Sequence, residues 1–510
     1  MSENHTLQQQ IKKLNQIGIA LSSEINLERL LELIVFEARE FTNADAGSLY
    51  ILDQEDTLYF HVSQNDTLSK RPGPSPGFKP YPLPLSAESI AGYVAIEGEI
   101  LNIDNVYDLP ESVPYEFNND FDLRNNYVTR SMLVVPMKDR EGQVLGVLQL
   151  INAKDETGNV VVFPKSVEDL VMSLASQAGV AIRNATLIAD IKALFEALIR
   201  YSASAIDARS PHTAGHSRRV ADYSKAIALA INGQSSGPFA SVFFTPEQLE
   251  ELSYSAWLHD MGKIGVPEQI LDKHHRLTDE AMENIVNRFE LIKALKLNRV
   301  QRGTVAGNPS TGEASASEGK DGPTDPEVEE VEREIEEDLG LIRKANQSGF
   351  LPEEDLVALQ NIASKTYENL RGDTVPYLTE KEMEYLSVRK GNLTAEEYKR
   401  IQAHAEMTHN IVKNIPFTKP LKNVPLFSAS HHELLDGSGY PQGLKGDDIP
   451  LQARILAVVD IFDALTAADR PYRRAIPAEK AGEILKAEAK GGRLDTHVVD
   501  LFLDKRLYEI

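Results

Sequence analysis

The chain has 510 residues, of which 42% are hydrophobic and 25% are charged, a composition typical of soluble globular proteins. A single hydrophobic core rarely grows beyond about 250–300 residues, so this length predicts two or three domains. The formal net charge of −24 argues against a broad surface for nucleic acid or anionic lipid, because such surfaces are basic. The absence of cysteine excludes disulfides and thiolate metal ligands.

No apolar run reaches the roughly 18 residues that a membrane helix needs. The polar stretch that starts at Met1 is also unlike a secretory signal. We therefore expect a cytoplasmic protein that binds neither membranes nor nucleic acid.

The N-terminal part of the chain begins with helical spacing and continues with strands. Apolar residues recur every three or four positions from about residue 7 to residue 40, which predicts a helix that is broken once. Short β-rich runs follow, and the turn Asp139–Gly142 joins the last two as a hairpin. These runs are AGSLYIL from Ala46, LYFHVS from Leu58, ILNI from Ile100, SMLVVPM from Ser131 and VLGVLQLINA from Val144.

This order of helix and strands, with GYVAIEGEILNI between them, resembles a GAF domain, a small-molecule sensor. The resemblance implies an α+β domain over residues 1–185, with an antiparallel sheet, flanking helices and the N-terminal helix. The stretch FNNDFDLRNNYVTRSMLVVPM from Phe117 is similar to one that precedes a central strand in cyclic-nucleotide-binding GAF domains. The GAF ligand stays open between a cyclic nucleotide, another small molecule and an apolar interior that only packs.

A long helix is predicted after the strands. Ser166 and Asp169 form an S-x-x-D start signal, and no proline interrupts the apolar stripe that follows. We assign residues 166–205 as a connecting signalling helix. Two interpretations stay open: a parallel two-stranded coiled coil that makes a homodimer, and a helix packed on its own domain. The stripe consists of Val167, Leu170, Leu174, Ala178, Ala181, Ala185, Ile188, Ile191, Phe195 and Leu198.

Two clusters of ionisable residues lie far apart in the C-terminal part of the chain. His259 and Asp260 are adjacent in WLHDMGKIGVPEQIL, His431 and His432 open HHELLDGSGYP, and Asp460 follows in an apolar, helix-like run. A neutral imidazole can bind one metal ion while an adjacent carboxylate bridges two. Adjacent ionisable residues in apolar helices would be costly to bury without a metal. The pattern therefore predicts one metal site built from both clusters.

Three motifs in this region resemble a known family. HHExxDGxGYP is present from His431 to Pro441, HDxGK from His259 to Lys263, and DxFDALTxxDRPYR from Asp460 to Arg473. They resemble the HD-GYP family, HD-domain metal phosphohydrolases that hydrolyse cyclic di-GMP. The resemblance implies an all-α helical bundle over residues 206–510. It also implies cyclic di-GMP as the partner molecule and two bound transition-metal ions, with iron or manganese favoured by imidazole ligands.

The resemblance assigns roles to single residues. Asp260 would bridge the two ions, and Lys263 would stabilise phosphate charge. Tyr440 would lie at the rim of the pocket, where it would bind substrate. Arg470 and Arg473 would bind phosphate or guanine, although ALTAADRPY has one residue more before Arg470 than the common pattern. The other implied metal ligands are His216, His259, His404, His431, His432 and Asp460.

Two more histidines compete for a role at the site. His212 precedes His216 by four residues, so a helix would place both on one face. Family members with a third metal have a carboxylate at this position, which leaves open both a third ion at His212 and a plain loop histidine. His409 follows His404 by five residues, about 140° around a helix, so the two cannot share a face. We choose His404 as the ligand.

Residues 287–390 depart from the family pattern and are interpreted as an insertion in the catalytic domain. Arg302 to about Gly322 is rich in Gly, Ser, Thr and Glu and predicts a disordered loop. Two helical stretches follow, and the second has Pro352 in its first turn. The tail from Pro477 to Ile510 predicts two amphipathic helices that close the bundle.

The sequence thus predicts a multidomain protein in which a long helix joins an α+β GAF domain to an all-α HD-GYP bundle. The favoured function is hydrolysis of cyclic di-GMP to pGpG, regulated at the GAF domain, with GMP left open as a further product. One alternative is a phosphohydrolase of another cyclic dinucleotide or of a nucleotide. Another is a non-catalytic sensor of cyclic dinucleotides, which the complete ligand set argues against.

Overall fold

The computed structural model describes residues 2–53, 56–70, 80–208, 215–306, 326–347, 349–467 and 475–510. The chain divides into two compact units, Met1–Glu196 and Ala197–Ile510. The predicted site residues His212, Arg470 and Arg473 lie outside the described residues, as does most of the predicted loop after Ala306. None of the helices in the described ranges combines the length and the apolar character that a membrane crossing requires.

The first unit is built on an antiparallel sheet. Its strands lie in the order β3-β2-β1-β6-β5-β4, and β7 pairs with β6. The hairpin of β5 and β6 turns at Asp139–Gly142, as predicted, with Gly142 at φ 86°. The strands are β1 (Ala44–Leu52), β2 (Thr57–Asn65), β3 (Tyr81–Pro84), β4 (Leu101–Ile103), β5 (Met132–Lys138), β6 (Val144–Lys154) and β7 (Val160–Val161).

Side chains alternate across this sheet and form a core on each face. Leu133 and Val135 of β5 join the core that the N-terminal helices cover, while Met132 and Val134 join the opposite core. The predicted break in the first helix falls between α1 and α2, where Asn26 caps α2. The helices of this unit that precede the long helix are α1 (Ser2–Ser23), α2 (Leu27–Thr42), α3 (Asp66–Ser69), α4 (Ile90–Glu97) and α5 (Asp120–Asn125).

The long helix α6 (Lys165–Asp207) is continuous, and its start differs from the prediction. It begins at Lys165, so Ser166 lies inside the first turn and not before it. Leu174 and Ala178 are buried in the core of the first unit, so the early part of the stripe packs on its own domain. The later apolar residues are exposed: Leu187, Ile188, Ile191, Leu194, Leu198 and Tyr201.

The second unit is mainly helical, as predicted, and has two separate cores. One core is formed by helices from the beginning and from the end of this unit. It includes the two predicted helices of the tail. The helices are α7 (His216–Asn232), α8 (Pro246–Leu258), α9 (Glu268–Leu271), α10 (Asp279–Ala306), α11 (Pro326–Asn346), α12 (Glu353–Ser364), α13 (Glu380–Leu386), α14 (Ala395–Val412), α15 (Val424–Ala429), α16 (Leu451–Thr466), α17 (Ala478–Lys490) and α18 (Thr496–Asp504). Short strands β8 (Gly349–Phe350), β9 (Thr366–Glu368), β10 (Thr374–Pro376) and β11 (Lys390–Gly391) form two-stranded pairs.

The other core belongs to the segment predicted as an insertion, residues 287–390, together with residues just before it. Leu277 and Ile285 are part of this core, and its last buried member is Leu386. Helix α10 also continues to Ala306, past the point where Arg302 was predicted to start a loop. The buried guanidinium of Arg276 donates hydrogen bonds to backbone carbonyls of Ala345, Gln347, Gly349 and Val388. The insertion is therefore a separately packed layer fastened at its base.

Candidate metal centre

Helices of the second unit, and the turns at the ends of two of them, bring the predicted residues together. His259 caps the C-terminus of α8 and Asp260 opens the 3-10 turn Met261–Gly265 that follows it. His216 begins α7, His404 lies on α14 and Asp460 lies on α16. His431 and His432 follow α15 directly.

One half of the centre is formed by two imidazoles and two carboxylates. The Nε2 atom of His216 lies 3.2 Å from Nε2 of His259. The same atom lies 3.5 Å from Oδ2 of Asp260 and 3.3 Å from Oδ1 of Asp460. His259 Nε2 is 3.4 Å from Oδ2 of Asp260.

The other half gathers His404, His431 and His432, whose ligand atoms lie within 4.8 Å of one another. His404 Nε2 is 3.4 Å from His431 Nε2 and 3.5 Å from Oδ1 of Asp260. His431 Nε2 lies 4.0 Å from the same oxygen. The two oxygens of Asp260 therefore face different sets of histidines.

The spacing and tautomers of these histidines fit a metal. Two atoms bound to one ion at about 2.1 Å lie about 3.0–3.4 Å apart, close to the distances found here. Nδ1 of each of three histidines lies 2.6 Å from a backbone carbonyl, which only accepts, so in the neutral rings Nδ1 carries the proton and Nε2 has a free lone pair. These pairs are His259 with Ala256, His404 with Ile401 and His431 with Ser428.

Burial and nearby charges shift the pKa values of the histidines in opposite directions in the two halves. Burial lowers the pKa of His404 and of His431, and it lowers the pKa of His432 to about 4, so these rings are neutral at pH 7. Burial also disfavours the charged form of His259, but Asp260 and Asp460 outweigh it and raise its pKa to about 9. Where burial would raise the pKa of Asp260, the cations around it hold it well below its usual value. The carboxylates are thus ionised and ready to bind a cation.

Lys263 and Tyr440 lie beside the residues of the centre. Lys263 Nζ is 2.5 Å from Oδ2 of Asp260. The Tyr440 ring lies 4.7 Å from the ring of His432, and the Tyr440 backbone N–H donates to the carbonyl of His432. His409 points elsewhere, with Nδ1 3.3 Å from the carbonyl of Pro425.

Sequence reasoning missed residues that hold the ligand segments in place. The hydroxyl of Thr408, on the helix of His404, accepts from the Gly262 N–H and donates to the His259 carbonyl. A Cβ at Gly262 would lie 1.9 Å from the carbonyl oxygen of His404, so only glycine permits this approach. The buried Glu433 carboxylate accepts from the backbone of Gln442 and of Leu444 and so shapes the loop after HHE. The HHE motif contained a signal for Glu433, whereas no local pattern marks Thr408.

The first unit contains a cavity of about 520 Å³ beside its sheet. The rings of Tyr50 and Phe60 stack at 4.7 Å, and Tyr81 meets Phe60 edge-on at 5.4 Å. The Tyr50 hydroxyl donates to Gln149, and burial raises the pKa of this tyrosine, so it stays protonated. Small-molecule sites typically occupy roughly 300–1,000 Å³, so the cavity has the size and the aromatic lining of a ligand site.

Models of known protein families match both the first and the second part of the chain. A GAF domain model matches residues 26–182. HD domain models match residues 213–345 and 378–498. HD domains are metal-dependent hydrolases, and the residues described above include groups that could hold a metal. The predicted combination of a GAF domain and a helical HD region is confirmed.

Individual relatives are similar over parts of the chain. The 3'3'-cGAMP-specific phosphodiesterase 3 of Vibrio cholerae serotype O1 is 44% identical over 98 residues, which are 19% of this chain and 20% of that protein. A cyclic di-GMP phosphodiesterase of the same organism is 25% identical over 353 residues, or 69% of this chain and 45% of that protein. The chain therefore spans less than half the length of either relative.

A solved structure is similar to the first part of the chain. It is the GAF domain from an Acinetobacter phosphoenolpyruvate-protein phosphotransferase, with 21% identity and a TM-score of 0.27, covering 36% of this chain and 98% of that chain. The chain is a GAF- and HD-domain protein, and its sequence relatives include phosphodiesterases of cyclic dinucleotides.

Proposed function

We propose that the chain is a metal-dependent phosphodiesterase that hydrolyses cyclic di-GMP to linear pGpG, and GMP is the candidate second product. The observation that carries this proposal is the position of Asp260. Its Oδ2 faces His216 and His259, while its Oδ1 faces His404 and His431. A carboxylate shared in this way is suited to bridge two cations, the arrangement used for phosphodiester hydrolysis.

The donor set favours iron or manganese over magnesium, because imidazole nitrogens outnumber carboxylates. His216, His259, Asp260 and Asp460 would hold one ion, and Asp260, His404, His431 and His432 the other. When bound, such ions supply hydroxide at neutral pH and Lewis-acid contact with the phosphate oxygens. Backbone carbonyls behind the rings of His259, His404 and His431 keep Nε2 directed inward before any ion binds.

The remaining residues act on the substrate. Lys263 places an ammonium beside Asp260, where it would stabilise the negative charge that builds up on the phosphate. Tyr440, against the His432 ring, would pack on a base or sugar at the edge of the site. Burial of His259, His404 and His431 excludes bulk water from the centre and so strengthens each of these electrostatic contacts.

A specific observation favours a second candidate substrate. The relative with 44% identity over 98 residues is named as specific for 3'3'-cGAMP, which shares one guanine with cyclic di-GMP. The phosphate chemistry is the same for both molecules, so only contacts to the second base would separate them. Arg470 and Arg473 stay proposed as such contacts.

The test is turnover of equal concentrations of cyclic di-GMP, 3'3'-cGAMP and cyclic di-AMP by manganese-loaded protein, with products separated by chromatography. The proposal predicts that cyclic di-GMP is cleaved far faster than cyclic di-AMP and yields pGpG. Preference for 3'3'-cGAMP would select the second candidate. Absence of cleavage of all three by protein that holds the metal would overturn the proposal.

We also propose that the GAF cavity binds a small-molecule signal and that the protein is a homodimer. The cavity beside Tyr50 and Phe60 supports a bound ligand over an interior that only packs. The exposed residues Leu187, Ile191, Leu194, Leu198 and Tyr201 of α6 recur in steps of four and three. This is the heptad spacing of a parallel two-stranded coiled coil, so a second copy of α6 is the expected partner.

A further inference from the structure

Asp463 belongs to the DxFDALTxxDRPYR motif, but neither the family resemblance nor the proposed ligand set gives this buried carboxylate a role. Its Oδ2 lies 2.7 Å from Nδ1 of His216. Arg219 donates two hydrogen bonds to the same carboxylate, with Nε 2.5 Å from Oδ1 and Nη2 3.0 Å from Oδ2. Only 2% of the Asp463 side chain is exposed.

The position of His216 explains why a side chain takes this place. The rings of His259, His404 and His431 each donate Nδ1–H to the carbonyl three residues earlier in the chain. His216 is the first residue of α7, so α7 has no residue three positions earlier to offer such a carbonyl. Asp463, one turn after Asp460 on α16, supplies the acceptor instead.

A carboxylate is a stronger acceptor than a carbonyl, and an imidazole that donates to it binds a metal more tightly through its other nitrogen. Arg219 offsets the cost of burying this charge and fixes its direction. Helices α7 and α16 thus meet in two layers: His216 with Asp460 at the metal centre, and Arg219 with Asp463 behind it.

We propose that Asp463, held by Arg219, is a positioning residue that sets the metal affinity of the half of the centre containing His216. The inference rests on the proposed di-metal site and extends it. It predicts unequal halves: one is tuned by a buried carboxylate–arginine pair, and the other contains the carbonyl-oriented rings of His404 and His431. A purely structural ion pair between α7 and α16 would alter stability but would not weaken one metal site selectively.

The experiment is titration of metal-free full-length protein with Mn²⁺, with free Mn²⁺ followed by electron paramagnetic resonance. Asp463→Asn should raise the dissociation constant of one of two sites about 10-fold to 100-fold and leave the other within about threefold. The matched control is Glu382→Gln, which neutralises a carboxylate gripped by Arg288 at 2.7 and 2.9 Å within the insertion. This control should bind manganese as the unmodified protein does.

Arg219→Gln keeps the Asp463 carboxylate but removes the guanidinium that holds it. The dissociation constant of the same manganese site should therefore rise by a smaller factor. This variant decides the question if Asp463→Asn does not fold. Titration curves for both variants that overlay the unmodified curve would overturn the inference, and so would equal weakening of both sites.

The outcomes also separate this inference from the proposed function. Two manganese sites with selective weakening, but no turnover of cyclic dinucleotides, would support the role of Asp463 and contradict the proposed activity. Turnover of a cyclic dinucleotide by the unmodified protein, together with variants that do not weaken one manganese site selectively, would contradict the role of Asp463. It would leave the proposed activity standing. Absence of any manganese binding by the unmodified protein would overturn both.

Discussion

Lys263 is the residue at the centre whose loss should separate metal binding from turnover. Its ammonium touches Oδ2 of Asp260 but cannot bind a metal while protonated, so Lys263→Met should retain both ions. We expect kcat for cyclic di-GMP to fall about a hundredfold, since removal of a group that stabilises transition-state charge costs that much or more. Metal analysis and turnover are measured on the same sample.

The control for Lys263→Met is Lys365→Met, which removes a lysine paired with Glu334 and Asp338 in the insertion. It should leave kcat unchanged. Unchanged turnover in Lys263→Met would remove this lysine from the proposed mechanism.

Asp45 shows how a buried carboxylate stabilises the first unit. It accepts from Thr67, Tyr127 and Lys154. Burial would raise its pKa, but these partners outweigh burial and lower the pKa below 3.8. Asp45→Asn should lower the free energy of unfolding by about 3 kcal/mol at pH 7, because the groups that paired with the buried carboxylate lose its charge.

The pH dependence of this effect follows from the lowered pKa. A carboxylate with a depressed folded pKa contributes stability above its unfolded pKa of 3.8 and loses it as the pH falls through the folded value. The difference between the unmodified protein and Asp45→Asn should therefore shrink below about pH 4. Hydrogen exchange of β1 peptides measures it, with the exposed Asp169→Asn as control, and a difference that grows in acid would contradict this account.

Individual residues of the site were predictable where the adjacent residues in the sequence indicate their chemistry. His259 with Asp260 and His431 with His432 stand in pairs that are hard to bury without a metal, and the structure brings them together. Asp463 was not predictable in this way. Its contact with His216 depends on how α7 crosses α16, which no local spacing reveals.

At the scale of elements, the approach of the 3-10 turn to α14 depends on Gly262. A Cβ there would lie 1.9 Å from the His404 carbonyl oxygen, a backbone atom that cannot move aside. Gly262→Ala should therefore weaken binding of manganese and lower the melting temperature. Gly265→Ala is the matched control, because its Cβ meets only the flexible Met407 side chain. Equal effects of the two substitutions on manganese binding would show that the close approach is unimportant.

The exposed stripe of α6 gives a second prediction at this scale. The unmodified protein should be a dimer by light scattering, and Ile191→Glu combined with Leu198→Glu should yield monomers. Leu370→Glu, at an exposed apolar residue of the insertion, should remain dimeric. A monomeric unmodified protein would contradict the coiled-coil proposal. Leu174 is unsuited to this test, because it is fully buried in the first unit.

Elements with strong periodicity were predicted well, and those with weak patterns were not. The stripe of α6 has the spacing of a helix, but spacing alone cannot separate the part buried by its own domain from the exposed part. Strand β3 was missed because its sequence YPLP contains two prolines, which are tolerated at the edge of a sheet. Helices α4 and α5 are too short for a periodic signal.

At the scale of the whole molecule, the presence of a GAF domain and a helical HD region followed from motifs and strand patterns. The extent of the second helical core did not, because this core includes Leu277 and part of α10 as well as the segment predicted as an insertion. Arg276 is buried at this junction and fastens the ends of the inserted layer through backbone carbonyls. Such contacts join residues that are far apart in sequence and leave no local pattern.

The most direct test of the proposed chemistry compares turnover of cyclic di-GMP by the unmodified protein and by Asp260→Asn, both supplied with manganese. Asp260 offers one carboxylate oxygen to each half of the centre, so its replacement by a neutral amide should abolish the shared site. We predict conversion to pGpG by the unmodified protein and no measurable conversion by Asp260→Asn. Turnover of Asp260→Asn at the unmodified rate would contradict a di-metal phosphodiesterase at this site.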